Sequence, residues 1–204
     1  MNAQELAIQA CEISKEYLKP GISEKQFADI CEKTMHSLGA EDVWYPMLVN
    51  FNTNSRYCTR ANHLPSDDVY LLKDDIVLID FSPKVNGYWG DYSETIVIGE
   101  NEAYSHLTAD AKFIFDQTFD YAKRCKTIGE LFAFCDNVIK SMGYQLLDPN
   151  GNIGHSIEGG DNQANRIFIS PDNSSTLLNG KRWAIEPHIG KGNYGAKFEN
   201  VINL

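Results

Sequence analysis

The stretch KDDIVLIDFSPKVNGYWGDYSETIVI, residues 73–98, decides the fold. Two runs rich in β-branched and aromatic residues flank Asn86-Gly87, a dipeptide that tolerates the positive φ angles of a type I′ turn. The stretch therefore predicts a β-hairpin in which Asp80 lies opposite Ser93. Asp91 is then on the same face as Asp80, roughly 7–8 Å away along the diagonal, so both carboxylates can reach one ligand.

The two aspartates allow two interpretations. An acid between Ile79 and Phe81 is costly in a buried strand, because a buried charge needs a counter-charge or a metal ion. For an isolated pair of aspartates, the simpler interpretation is that one caps a turn and the other faces water. The choice depends on whether further acids join them.

Composition limits the classes of function. The chain has 204 residues and no linker-like tract, which predicts one domain. Its formal net charge of −10 argues against nucleic acid as a partner, because phosphate binding needs a basic surface. Residues 1–17 alternate polar and apolar residues without an uninterrupted apolar core, which argues against a signal peptide and against a membrane span. Five cysteines without a CxxC pair are typical of reduced thiols, so we expect a cytoplasmic location.

The helical segments repeat along the chain. Residues 23–26 (SEKQ) and 127–130 (TIGE) are capping-box patterns, and each precedes an apolar pattern of helical period. One offset of 104 residues superposes the two boxes and also the cysteines and glycines that follow them. We infer an internal duplication with half-repeats of roughly residues 1–100 and 101–204.

Other elements follow from local patterns. Residues 43–50 predict a strand and residues 108–123 a long helix, with a polar, irregular segment over residues 51–72. Residues 181–189 (KRWAIEPHI) and 196–204 (AKFENVINL) predict a second strand pair, joined through a glycine-rich turn.

Each half offers two acids on paired strands. At nearly the same offset, Asp80 corresponds to Glu186 and Asp91 to Glu199. If the halves fold about a pseudo-twofold axis, four carboxylates meet at one centre, and His155 in the segment GHSI is a candidate fifth ligand. Such a set suits two divalent cations, and its oxygen-rich character favours manganese, iron(II) or cobalt over a thiolate-type zinc site. Glu186 could also shuttle the proton of a water molecule held between the ions.

These motifs resemble those of the pita-bread metallopeptidases, which comprise methionine aminopeptidases, Xaa-Pro aminopeptidases, prolidases and creatinases. The matching segments are IDFSPKVNGYWGD, IGHSI, AIEPHI and KFENVI, and the resemblance covers nearly the whole chain. It implies an α+β fold of two pseudo-twofold-related halves around a curved antiparallel sheet, in one catalytic domain over residues 1–204. It also implies two divalent metal ions (Mn, Co, Fe or Zn) and five ligands: Asp80, Asp91, His155, Glu186 and Glu199.

Further residues are compared with the family pattern. His63, seventeen residues before Asp80, matches a substrate-positioning histidine, although a solvated loop histidine is the alternative. His188 is a candidate for a residue that borders the site. Asn162 stands where relatives usually have a second active-site histidine; it can donate a hydrogen bond but cannot supply a proton near neutral pH. Glu94 stands where many relatives have arginine.

The resemblance implies a hydrolase that cleaves the N-terminal peptide bond of short peptides or protein N-termini. The segment WYPMLVNFNTNS is closer to small Xaa-Pro peptidases, whereas the small size is common among type I methionine aminopeptidases. A non-catalytic binding protein on the same fold is disfavoured because all five ligands are retained. Creatinase-like hydrolysis is disfavoured because creatinase relies on histidines rather than on a metal pair.

Two further expectations concern aromatic residues and assembly. Aromatic side chains in strands could line a substrate pocket but are more often core; here they are Trp44, Tyr45, Tyr88, Trp89 and Trp183. By analogy with relatives, a homodimer is compatible with the resemblance.

Overall fold

The computed structural model describes residues 1–58, 63–157 and 165–204. Within these ranges the α-helices form two sequential pairs, and the members of each pair contact one another. They are α1 (Ala3–Lys15), α2 (Glu24–Ser37), α3 (Glu102–Ala122) and α4 (Ile128–Ser141). None of the helices in the described ranges combines the length and the apolar character that crossing a lipid bilayer requires.

Both predicted capping boxes are confirmed. The side chains of Ser23 and Thr127 accept a hydrogen bond from the backbone N–H three residues further on. The side chains of Gln26 and Glu130 accept one from the N–H of the capping residue in return. Each box therefore satisfies backbone donors that the first helical turn leaves without a partner.

The strands are short and antiparallel. In chain order they are β1 (Asp42–Val43), β2 (Leu48–Phe51), β3 (Asp75–Phe81), β4 (Pro83–Val85), β5 (Tyr88–Trp89), β6 (Tyr92–Ile98), β7 (Gln145–Leu146), β8 (Gly154–Ser156), β9 (Arg182–Ile185), β10 (His188–Lys191), β11 (Tyr194–Lys197) and β12 (Asn200–Asn203). They pair in the orders β1-β4-β5, β2-β3-β6, β12-β9-β8 and β11-β10-β7. A bridge between Ser93 and Glu199 joins the N-terminal and C-terminal strands.

The hairpin over residues 73–98 is confirmed in turn and register. Its two turn residues have φ angles of 51° and 75°, as a type I′ turn requires. Val85 pairs with Tyr88, and Asp80 pairs with Ser93. The register derived from the sequence is therefore the register of the fold.

Two predictions about element bounds are wrong: the start of α3 and the continuity of the strand predicted over residues 43–50. α3 begins at Glu102 rather than at residue 108, because the side chain of Asn101 caps the helix by accepting two backbone hydrogen bonds. The strand predicted over residues 43–50 is interrupted: β1 pairs with β4, whereas β2 pairs with β3. Pro46 lies in the interruption, and its nitrogen has no hydrogen to donate to a ladder.

The C-terminal strand pair also differs from the prediction, because each predicted strand divides into two. β9 and β10 lie on either side of Glu186-Pro187, and β11 and β12 on either side of Phe198-Glu199. The N–H of Glu186 bonds to the carbonyl of Ile153, and the N–H of Glu199 to that of Ser93. Both glutamates therefore lie where one ladder ends and the next begins, as Asp91 does between β5 and β6.

Two apolar cores hold the helix pairs against the strands. The core of the first half contains Leu6, Phe27, Val49, Ile79 and Phe81. The core beneath α3 and α4 contains Ile114, Leu131, Trp183, Ile185 and Ile189. The internal duplication stays a hypothesis drawn from the sequence.

Candidate metal centre

Five sequence-predicted residues line one cavity of about 410 Å³. They are Asp80, Asp91, His155, Glu186 and Glu199. This volume is within the range of about 300–1,000 Å³ that is common for small-molecule sites. Four of the five are buried, and the Glu186 side chain is 19% exposed. The structure thus brings residues from four separate stretches of chain to one place.

Three of these residues could hold a metal ion. Asp91, His155 and Glu199 each offer a ligand atom, and these atoms all lie within 4.8 Å of one another. Within the described part of the chain, Asp91 Oδ2 and Glu199 Oε1 are buried without a hydrogen-bond partner. Buried carboxylate oxygens need compensation, which a divalent cation would supply.

The imidazole of His155 is oriented as in most metal sites. Its Nδ1 lies 3.0 Å from the carbonyl oxygen of Ser156, and its Nε2 lies 3.4 Å from Asp91 Oδ2. A hydrogen bond from one ring nitrogen to a carbonyl leaves the other nitrogen available to a metal. The residues present therefore fit a divalent ion.

Lys197 is a site residue that the sequence analysis missed. Its Nζ lies 2.7 Å from Asp80 Oδ2, 2.9 Å from Glu186 Oε2 and 2.9 Å from Glu199 Oε2. Side chains alternate along a strand, so a lysine two residues before Glu199 points to the same face. That spacing in KFENVI is the signal that could have found it.

The buried charges change each other's pKa. Burial lowers the pKa of Lys197, but the attraction of the three surrounding carboxylates outweighs it and raises the pKa well above its usual value. Burial raises the pKa of Glu186, but the charge of Lys197 outweighs it and holds the pKa below its usual value. Burial and neighbouring carboxylates raise the pKa of Asp91 and of Glu199 well above the usual range. Glu186 is therefore ionised at neutral pH, which is the form in which a carboxylate can accept a proton.

Helix α1 fixes the backbone of Asp91. The Nε2 of Gln4 donates to the carbonyl of Asp91 at 2.7 Å, and its Oε1 accepts from the N–H of Asp91 at 2.9 Å. The same Nε2 donates to Asn200 Oδ1 at 2.9 Å. Gln4 thus ties the first helix to strand segments of both halves, a role that the sequence analysis did not predict.

Close backbone contacts fix His155 and Lys197. Gly154 has a φ of 149°, and a Cβ at this position would lie 2.1 Å from the carbonyl oxygen of Ala184. Glycine therefore lets β8 approach β9 and sets the position of His155. The hydroxyl of Thr95 accepts from the Lys197 N–H at 2.8 Å and donates to the Lys197 carbonyl at 2.9 Å.

His63 contacts a buried carboxylate and an aromatic ring. Its Nε2 lies 2.6 Å from Oε2 of the buried Glu24, and its ring stacks on Tyr57 with centroids 5.9 Å apart. Glu24 Oε1 also accepts from the N–H of Phe51 at 2.7 Å. His63 is not among the described residues that line the cavity. His63 therefore contacts the carboxylate of Glu24, which also binds the backbone of β2. The predicted contact of His63 with substrate stays a prediction.

His188 borders the cavity. Its Nε2 lies 2.8 Å from the carbonyl oxygen of Ser55, so this nitrogen carries the hydrogen. Burial and the charge of Lys197 lower the pKa of His188 to about 3, which keeps the ring neutral. Among the described residues its Nδ1 has no partner, so it remains an available acceptor. Asn162 lies outside the described residues.

Aromatic rings and one guanidinium form part of the cavity wall. Trp44, Tyr45, Phe168 and Arg166 all line it. The Trp44 ring meets the ring of His155 edge-on, with centroids 5.6 Å apart. The guanidinium carbon of Arg166 lies 5.2 Å from the Trp44 ring and 5.4 Å from the Phe168 ring. The wall therefore combines apolar surfaces with a positive charge.

Glu94 lies apart from the metal ligands. Its Oε2 is 3.2 Å from Lys15 Nζ and 3.3 Å from the hydroxyl of Tyr92. It is not among the described residues that line the cavity. Glu94, which stands where many relatives have arginine, thus forms an ion pair that links β6 to α1.

Comparison with known proteins agrees with this geometry. The model of metallopeptidase family M24 matches residues 1–204, and the chain belongs to this family. A methionine aminopeptidase of Escherichia coli K12 is 26% identical over 203 residues, which cover 93% of this chain and 74% of that protein. An uncharacterized peptidase of Staphylococcus saprophyticus is 25% identical over 202 residues, which cover 98% of this chain and 56% of that protein.

Solved structures show the same fold. An X-Pro aminopeptidase from Thermotoga maritima superposes with a TM-score of 0.84 at 23% identity, over 99% of this chain and 56% of that one. A prolidase from Pyrococcus horikoshii superposes with a TM-score of 0.86 at 24% identity, over 99% of this chain and 57% of that one. The chain thus spans a little over half the length of these two structures. A methionine aminopeptidase from Rickettsia prowazekii superposes with a TM-score of 0.80 at 20% identity, over 98% of this chain and 89% of that one. The predicted pita-bread α+β fold is confirmed, as is the predicted family of hydrolases.

Proposed function

We propose that this chain is a metal-dependent peptidase that hydrolyses the N-terminal peptide bond of short peptides with an Xaa-Pro-type preference. One observation carries the proposal: ligand atoms of Asp91, His155 and Glu199 converge in a cavity beside Glu186, and the two carboxylate oxygens Asp91 Oδ2 and Glu199 Oε1 are buried without a hydrogen-bond partner among the described residues. Asp91, His155 and Glu199 would hold a divalent ion, which would supply a Lewis acid to polarise the substrate carbonyl and to lower the pKa of the attacking water. Membership of metallopeptidase family M24 supports the same chemistry.

Glu186 is the general base in this proposal. Its side chain is the most exposed of the four carboxylates, and its depressed pKa keeps it ionised. Lys197 binds Oε2, while Oε1 lies 3.5 Å from Nε2 of His155, on the side of the metal ligands. Glu186 would take a proton from the attacking water and pass it to the leaving amine.

Other residues of the cavity would position the peptide. The Nδ1 of His188, which has no hydrogen-bond partner among the described residues, can accept a hydrogen bond from a peptide N–H. Arg166 can attract the carboxylate of a short peptide, and the ring of Trp44 can pack against a compact apolar group. The roles predicted for His63 and Asn162 stay predictions.

Methionine aminopeptidase activity is the second candidate. The 26% identity to the Escherichia coli enzyme and the 74% coverage of its length favour it. The Xaa-Pro preference rests on the segment before His63 and on the similarity of the fold to X-Pro aminopeptidase and prolidase structures. Manganese or cobalt as the native metal, a cytoplasmic location and a homodimer stay predictions from the sequence.

A peptide panel distinguishes these candidates. Metal-stripped protein is re-supplied with Mn²⁺, Co²⁺ or Zn²⁺ and incubated with Met-Ala-Ser, Ala-Pro-Ala and Ala-Pro. Metal-dependent cleavage of the proline peptides supports the proposal, and selective release of methionine supports the second candidate. Glu186→Gln should lower turnover by about 10²–10⁴-fold if Glu186 is the base. Absence of cleavage by protein that retains metal would favour a non-catalytic binding protein.

A further inference from the structure

We propose that this centre binds a single divalent ion, held by Asp91, His155 and Glu199, and that the ammonium of Lys197 takes the place of a second ion. The inference concerns the metal of the proposed function and replaces the two-ion count that the family resemblance implies. Its test does not depend on catalysis, because ions can be counted without a substrate.

The ammonium of Lys197 is fully engaged. Three carboxylate oxygens surround Nζ at 2.7–2.9 Å, one each from Asp80, Glu186 and Glu199. A lysine ammonium has three hydrogens to donate, so these three bonds use all of them. The ammonium in turn supplies these carboxylate oxygens with the counter-charge and the hydrogen bonds that buried charges need. This part of the acidic cluster is therefore compensated by the chain itself.

A second ion and the ammonium exclude one another. A divalent ion bound to the same three oxygens would lie about 2.0–2.2 Å from each of them. The Nζ of Lys197 is already within 2.9 Å of all three, so the two positions overlap. Two positive charges at such a separation would also repel each other strongly.

The atoms that could bind one metal ion are not the atoms that bind Lys197. Glu199 gives Oε2 to Lys197, whereas its Oε1 is buried without a partner in the described part of the chain. Asp91 Oδ2 has no hydrogen-bond partner there either, and His155 Nε2 lies 3.4 Å from it. One half of the centre is thus satisfied by the ammonium, and the other half is arranged for one ion.

Lys197 is held firmly in this position. The residue is 1% exposed, and Thr95 binds both its backbone N–H and its carbonyl. It ends β11, which pairs with β10 along its whole length, with His188 opposite Lys197. Withdrawing the side chain would leave three buried carboxylate oxygens without compensation.

Counting ions tests the inference. Metal-stripped full-length chain is titrated with Mn²⁺ by calorimetry, and bound manganese is measured by elemental analysis and electron paramagnetic resonance. We expect one Mn²⁺ per wild-type chain with the spectrum of an isolated ion. Lys197→Met should bind two, with a spin-coupled spectrum. The matched control Lys191→Met, an exposed lysine of β10, should bind one.

A second variant keeps the test decisive if Lys197→Met does not fold. Asp80→Asn removes a carboxylate that faces the ammonium, so it should still bind one ion per chain. Two coupled ions per wild-type chain, loss of an ion in Asp80→Asn, or no bound ion would overturn the inference. So would a Lys197→Met chain with a wild-type circular dichroism spectrum and one ion. One bound ion without peptide cleavage would support the inference and overturn the proposed function.

Discussion

Replacing Gln4 by alanine tests how helix α1 supports the metal centre. The substitution removes two hydrogen bonds to the backbone of Asp91 and one to Asn200. Each such bond contributes about 0.5–1.5 kcal/mol, and the buried Asp91 N–H is left without a partner, so we expect a loss of about 2–4 kcal/mol. For a chain of this size that is a fall in melting temperature of about 5–15 °C.

The same change should weaken metal binding. Contacts that orient metal ligands typically affect metal affinity by about 10–100-fold, so Gln4→Ala should raise the Kd for Mn²⁺ by that factor. Differential scanning fluorimetry measures the first effect, and calorimetric titration of the metal-stripped protein measures the second. Gln9→Ala makes the same change on the exposed face of α1 and should alter neither. A Gln4→Ala chain with the wild-type Kd would refute the positioning role.

Three further predictions concern the glycine before the metal histidine, the buried Glu24 pair and the effect of pH. Gly154→Ala should weaken Mn²⁺ binding by at least about tenfold, because a Cβ there would lie 2.1 Å from a backbone oxygen of β9; an unchanged titration would contradict this. His63→Ala should leave metal content unchanged but lower the free energy of unfolding by about 1–3 kcal/mol, because the carboxylate of Glu24 loses a partner. An unchanged melting temperature with reduced kcat/KM would instead favour the predicted substrate contact. Mn²⁺ affinity should rise with pH through the raised pKa values of Asp91 and Glu199, because binding displaces their protons. A raised folded-state pKa contributes stability at low pH that is lost as the pH rises through it, so the metal-free wild type should lose stability relative to Asp91→Asn as the pH increases. Fluorimetric melts over a pH series check this sign.

Local signals explain what the sequence could predict. Asn86-Gly87 sets the turn, and the turn sets the register that places Asp80 opposite Ser93. Capping boxes fix two helix starts, because their hydrogen bonds connect residues three apart. The offset between the two halves indicated Glu186 and Glu199, and the resemblance of the motifs implied the full set of five ligands, including His155.

Long-range contacts explain what the sequence could not predict. Gln4 contacts Asp91 across 87 residues of chain, and His63 contacts Glu24 across 39. Neither side chain carries a local pattern that distinguishes it from a surface residue. Lys197 could be predicted only in part. Its spacing from Glu199 indicates that both side chains lie on the same face of the strand, but the convergence of three acids on its ammonium depends on tertiary structure.

The most direct test of the central claim measures metal binding and hydrolysis in the same samples of wild type and Asp91→Asn. The claim is that hydrolysis depends on an ion held by Asp91, His155 and Glu199. We predict that the wild type binds Mn²⁺ and cleaves Ala-Pro or Ala-Pro-Ala, and that the variant, with wild-type circular dichroism, loses both properties together. A variant that keeps the wild-type manganese content and turnover would contradict the account.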